Sequence, residues 1–181
     1  MRMQLRLLRS FARDRKGVSA VEFALLLPLM MTLYIDGAEV SQAVSVSRKA
    51  TLVARTVADL SSQTSGITAA NMVNILDASA AVVSPFDAGR LKVTVSQIKI
   101  DANSVATIDW SVTRNGTAHT TGETITLPAG LVTANTYLIW SEVEYNYQPS
   151  IGYVITGNLN LTDKMYMRPR LSTSVTYPAT S

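Results

Sequence analysis

With 181 residues, 47% of them hydrophobic and 16% charged, the chain is long enough for one modest folded domain and a separate helical segment. It has no cysteine and one histidine, His119, which removes disulfide frameworks, thiolate zinc sites, cysteine nucleophiles and most histidine-dependent catalysis, so no cofactor and no metal is expected. The net charge of +3 is uneven: Arg2, Arg6, Arg9, Arg13, Arg15 and Lys16 face only Asp14 before Gly17, so residues 1–17 carry +5 and the remainder −2.

That basic block abuts an apolar run instead of lying on a folded surface, which argues against nucleic-acid binding. It is a topological signal. By the positive-inside rule, Arg13, Arg15 and Lys16 hold residues 1–17 as a cytoplasmic leader.

Residues 18–35, VSAVEFALLLPLMMTLYI, would span about 27 Å as a helix, close to the roughly 30 Å of a bilayer hydrocarbon core. The charge-free part, residues 23–35, also has the length of the apolar region of a cleavable secretory signal. Under that secretory reading, Ser41-Gln42-Ala43 supplies small residues at the inspected positions and a soluble protein begins at Val44. Glu22 stands against it, because a carboxylate held at depth costs up to about 3 kcal/mol and an ordinary signal has no use for one. Pro28 removes one backbone hydrogen bond and reads as a tolerated kink.

The pattern Lys16-Gly17 followed by Val18, Ser19, Ala20, Val21 and Glu22 resembles type IV prepilins and their pseudopilin relatives, with a basic leader ending in glycine and glutamate at the fifth position after it. More narrowly, Arg13-Asp14-Arg15-Lys16-Gly17 through Glu22-Phe23-Ala24-Leu25-Leu26-Leu27-Pro28 resembles the TadE/TadG-type pseudopilins of the tight-adherence (Tad, or Flp) pilus system. The resemblance implies cleavage between Gly17 and Val18 by an inner-membrane prepilin peptidase. It also implies a role for Glu22 and the adjoining Phe23 in assembly, where the carboxylate of one copy neutralises the new α-amino group of a neighbour. The partners so implied are the peptidase, other pseudopilins, the pilus assembly platform and membrane lipids. The implied location is the inner membrane, crossed once, with the C-terminal region outside, and association with the pilus is within the same expectation. Phe23 replaces the tyrosine that major pilins of this system tend to carry.

Beyond the apolar run, Val46, Ala50, Val53, Val57 and Leu60 form one helical stripe, so residues 36–62 read as an extension of the first helix, interrupted at Asp36-Gly37. Residues 61–66, SSQTSG, break it. Residues 68–81 read as a second helix capped by Thr68 or Ser65.

From Arg90 the period is two. Leu91, Val93 and Val95 alternate, and a phase slip at Ser96-Gln97 to Ile98 and Ile100 suggests a β-bulge in that strand. Ile108, Trp110 and Val112 share a face of the next strand, which ends at the turn signal Asn115-Gly116. Tyr137, Ile139, Val143, Tyr145 and Tyr147 line a third, and Leu171, Val175 and Tyr177 the last. The expected fold is therefore α+β: a long transmembrane and stalk helix, a short second helix, and an antiparallel sheet within an extracytoplasmic region at 63–181.

Chemical sites are scarce in that region. Glu142 and Glu144 are paired carboxylates without a nucleophile or metal partner and read as a solvated edge; His119, after a turn, reads as exposed. Asp77-Ala78-Ser79-Ala80-Ala81 lacks the second serine of an Asp-x-Ser-x-Ser metal-adhesion motif. Asn115-Gly116-Thr117 and Asn160-Leu161-Thr162 match the glycosylation acceptor by chance, and the tyrosines between Tyr137 and Tyr166 read as core. Two function classes remain: a structural pilus-assembly protein that is not an enzyme, and a Sec-exported envelope binding module or enzyme of unrecognised type.

Overall fold

A computed structural model describes residues 15–149 and 157–178; Arg13 and the basic residues before it lie outside these, and Arg15 and Lys16 are described by backbone alone. The first helix, α1 (Arg15–Ser62), runs unbroken for 48 residues and contains Pro28. The interruption expected at Asp36-Gly37 is absent. One glycine costs a helix interior only about 1 kcal/mol, too little to break a helix whose later turns are held by packing.

The chain divides into two compact units, one ending at Ser41 and one beginning at Gln42. In the first, α1 is apolar and bare: Val18, Phe23, Leu25, Leu29, Leu33 and Tyr34 are all more than half exposed. This is a helix long and apolar enough to cross a membrane, with a mean hydropathy of 1.9 over its best window and none of that window buried.

In the second unit the remaining turns of α1 bury Ala43, Val46, Ala50, Val53, Ala54 and Val57. Small and β-branched residues on that stripe let the helix lie close against a sheet. Leu60, the expected end of the stripe, is instead 37% exposed, and Ala58 and Ser61 are buried in its place. A second helix, α2 (Ala69–Ala81), is capped by Thr68, whose hydroxyl accepts from the Asn71 backbone N–H at 3.2 Å. Lys49 on α1 ties down the turn after α2, its Nζ donating to the Val82 and Ser84 carbonyls at 3.2 and 2.5 Å.

The sheet contains β1 (Leu91–Ile100), β2 (Ala106–Arg114), β3 (Thr124–Ile125), β4 (Thr136–Tyr147) and β5 (Leu159–Met167), in the order β3-β2-β1-β4-β5 with every pairing antiparallel. One face carries Leu91, Val93, Val95, Trp110, Ile139, Val143, Tyr145 and Tyr147 into a common core with both helices. The opposite face carries a smaller core of Ile98, Ile100, Ala106, Ile108, Leu138 and Trp140, covered by Leu127 and the flanking Ile125, Leu131 and Val132.

The second core corrects the reading of the phase slip. β1 pairs with β4 residue for residue from Leu91↔Tyr145 to Ile100↔Thr136, so β1 is not bulged. Its apolar side chains change face because a different face of the sheet becomes covered. The irregularity lies in β2, where Gln97 pairs with Trp110 and Ile98 with Ile108, leaving Asp109 as the extra residue. Ile108 and Trp110 therefore enter different cores, although the sequence spacing placed them together.

The last strand also differs from expectation. It is β5, whose side chains are all exposed or half-buried because it is a sheet edge, and this weakens its alternation. Residues 168–178 instead run back as an irregular segment in which Leu171 is 72% exposed and Val175 fully buried. The Ile67 N–H donates to the Thr176 carbonyl at 2.8 Å and the Thr176 N–H to the Ser65 carbonyl at 3.1 Å. Gly66 permits this approach, since a Cβ there would lie 2.6 Å from Thr176 Oγ1.

Candidate functional site

Gly17, Val18, Glu22 and Phe23 all lie near the start of α1 and all are exposed. Val18 and Glu22, four residues apart, lie on one face about 6 Å apart along the axis. Among the described residues no side chain meets the Glu22 carboxylate. A Cβ placed on Gly17 would find nothing within 4 Å, and Gly17 sits in ordinary helix, so neither packing nor backbone conformation calls for a glycine there.

A second cluster, on the sheet face opposite the helices, is one that sequence reasoning missed. β4 is an interior strand, so Glu142 and Glu144 are not on an edge: Thr94↔Glu142↔Lys164 and Lys92↔Glu144↔Thr162 form two cross-strand rows. Lys92 Nζ lies 3.0 Å from Glu144 Oε1, and Lys164 Nζ 3.0 Å from Glu142 Oε1. The β2–β3 connection brings His119 onto the same row. Its Nε2 is 2.5 Å from Glu142 Oε2 and its Nδ1 3.5 Å from Glu123 Oε2. The ring stacks on Trp140 at 4.8 Å, Trp140 stacks on Tyr166 at 5.8 Å, and Lys164 Nζ lies 5.1 Å from the Trp140 ring centre. His119 is thus a held residue, its side chain 27% exposed. Burial raises the Tyr166 phenol above its ordinary range, opposed by Lys164 and reinforced by Glu142.

Lys92, His119, Glu142, Glu144 and Lys164 line an open groove of about 590 Å³ together with Asn115, Gly116 and Thr117. The arrangement does not amount to a catalytic set. Ser111 Oγ accepts from the His119 backbone N–H at 3.0 Å, and no described hydroxyl meets the ring. Among the described residues no three His, Asp or Glu side chains converge as a metal site. Asp77, in the failed adhesion motif, pairs with Arg114 at 3.0 Å. Nothing in the sequence could have joined His119 to Glu142, since 23 residues and two connections separate them.

Compared with known families, residues 17–59 match the family model described as TadE-like protein. No curated protein and no solved structure matches the chain.

Proposed function

We propose, from the match of residues 17–59 to the TadE-like family model, that the chain is a minor-pilin-like pseudopilin associated with the Tad pilus, processed after Gly17 and held in the inner membrane by residues 18–35. Its C-terminal region is outside the cytoplasm and its basic leader, including Arg13, Arg15 and Lys16, inside. Its partners are the prepilin peptidase, other pseudopilins, the assembly platform and lipid.

The observation that carries this reading is the coincidence of three features at one place: the family match begins at Gly17, the bare apolar helix follows it, and among the described residues no side chain packs on Gly17 or meets the Glu22 carboxylate. A peptidase that accepts only a small residue before the cut explains the glycine. An α-amino group created on Val18 of a neighbouring copy explains the carboxylate, which is costly in an apolar surrounding unless paired.

The secretory alternative fits less well. Scission before Val44 would cut α1 immediately after Ala43, which is buried in the core of the second unit. The intact mass of protein recovered from its native host discriminates the two. A chain starting at Val18 is expected; a start near Val44 supports export by a secretory signal, and an uncleaved Met1 terminus in the presence of the peptidase overturns the processing.

A further inference from the structure

We propose that His119 is a proton-operated latch that fastens residues 115–123 over the polar groove on the outer face of the sheet. The ends of this connection are tied by backbone and amide groups. Asn115 Nδ2 donates to the Leu91 carbonyl at 3.1 Å, Gly122 N–H to the Ile108 carbonyl at 2.7 Å, and Ile108 N–H to the Glu123 carbonyl at 2.9 Å. Between them, among the described residues, His119 is the side chain through which the connection reaches β4.

Both nitrogens of the ring face carboxylate oxygens, Nε2 that of Glu142 and Nδ1 that of Glu123. An ionised carboxylate only accepts hydrogen bonds, and a neutral imidazole carries one N–H. The neutral ring with its proton on Nε2 donates to Glu142 and turns the Nδ1 lone pair toward the Glu123 carboxylate 3.5 Å away; in the imidazolium the bond to Glu142 becomes charge-assisted and Nδ1 faces Glu123 as part of a cation. Other charged groups in the groove set how strongly the latch closes. Lys164 on β5 shares Glu142 and draws on the same charge, whereas Lys92 on β1 is engaged by Glu144 on β4. Within the connection Glu123 also accepts from the Thr120 N–H at 3.2 Å, which holds that carboxylate beside the ring. Protonation tightens the connection against Glu142 and Trp140; deprotonation loosens it, while the His119 backbone N–H stays on Ser111 Oγ at 3.0 Å.

The test uses the full chain in detergent micelles and reads backbone hydrogen exchange of residues 115–123, corrected for intrinsic rates, at about pH 5.5 and about pH 8. Protection about fivefold greater at the lower pH is expected, with α2 unchanged between the two. Imidazolium stacked on an indole quenches it, so Trp emission should fall over the same interval. His119→Gln, which keeps a donor but cannot titrate, should abolish both differences. Glu123→Gln, remote from the sheet core, should reduce the exchange difference and serves if the first variant folds poorly. Equal protection at both pH values in the native chain overturns the latch, as does a pH difference that persists in His119→Gln or is undiminished in Glu123→Gln.

Discussion

The backbone N–H of Val175 donates to Oε1 of Gln97 at 2.6 Å, joining residues 78 positions apart at the centre of the domain. The same residue is held through its carbonyl by Trp110, whose Nε1 donates to it at 2.9 Å. Gln97 is fully buried and spends its amide on Asp109, the extra residue of the β2 bulge, at 2.6 Å. One side chain thus fixes both the bulge and the returning C-terminal segment.

Gln97→Ala should therefore destabilise the protein by about 2 to 3 kcal/mol, because it leaves the buried Val175 N–H without its acceptor and opens a small void, while the exposed Asp109 carboxylate turns to water. Urea or thermal unfolding in detergent measures this; a loss below about 0.5 kcal/mol would show that residues 168–178 are not anchored here.

Gly17→Leu should fold as the native chain does, since space around Gly17 is open, yet remain uncleaved when the peptidase is present. Normal maturation of this variant, read by intact mass, counts against the processing assignment. Glu22→Ala should be cleaved normally but assemble about tenfold less well or worse, the equivalent of roughly 1.4 kcal/mol or more of lost pairing in an apolar surrounding. Unchanged assembly would remove the proposed role of the carboxylate.

Lys49→Met keeps most of the aliphatic stem but withdraws the ammonium that satisfies the Val82 and Ser84 carbonyls. A loss of about 1 to 2 kcal/mol is expected, with faster hydrogen exchange at residues 82–90. Native-like exchange there would show that the turn holds itself.

At alkaline pH two phenols should ionise late. Burial is the largest influence raising Tyr145, with Arg90 opposing it and Asp87 adding to it, and burial likewise raises Tyr166. Because the neutral phenol is favoured in the folded state, stability is retained up to the unfolded value of about 10 and falls as pH rises above it. Ultraviolet titration of the phenolate band should show a late component that shrinks in Tyr145→Phe. A single step at the free-tyrosine value would refute both burial arguments.

Much of the fold could be read from local pattern. The stripe Val46, Ala50, Val53 and Val57 is the buried face of α1, Thr68 caps α2, and the alternations beginning at Leu91 and Tyr137 are strands. The errors share a cause. Ile98 and Ile100 looked like a slipped phase because sequence alternation reports which side chains are covered, not which face they occupy. β5 was obscure because an edge strand with polar neighbours carries little alternation, and the spaced Leu171, Val175 and Tyr177 imitated a strand without forming one.

The features of the N-terminal segment are local. A glycine, a glutamate five positions on and an apolar run follow a basic stretch of sequence, and along α1 their relation is set by 1.5 Å of rise and 100° of rotation per residue; the sequence by itself determined the family match and the proposed cleavage site. The joining of His119 to Glu142 and of Gln97 to Val175 was decided only by the tertiary structure. Those contacts depend on strand order, on the bulge at Asp109 and on which face of the sheet each connection crosses. They are settled by packing across the whole domain, which no short window of residues encodes.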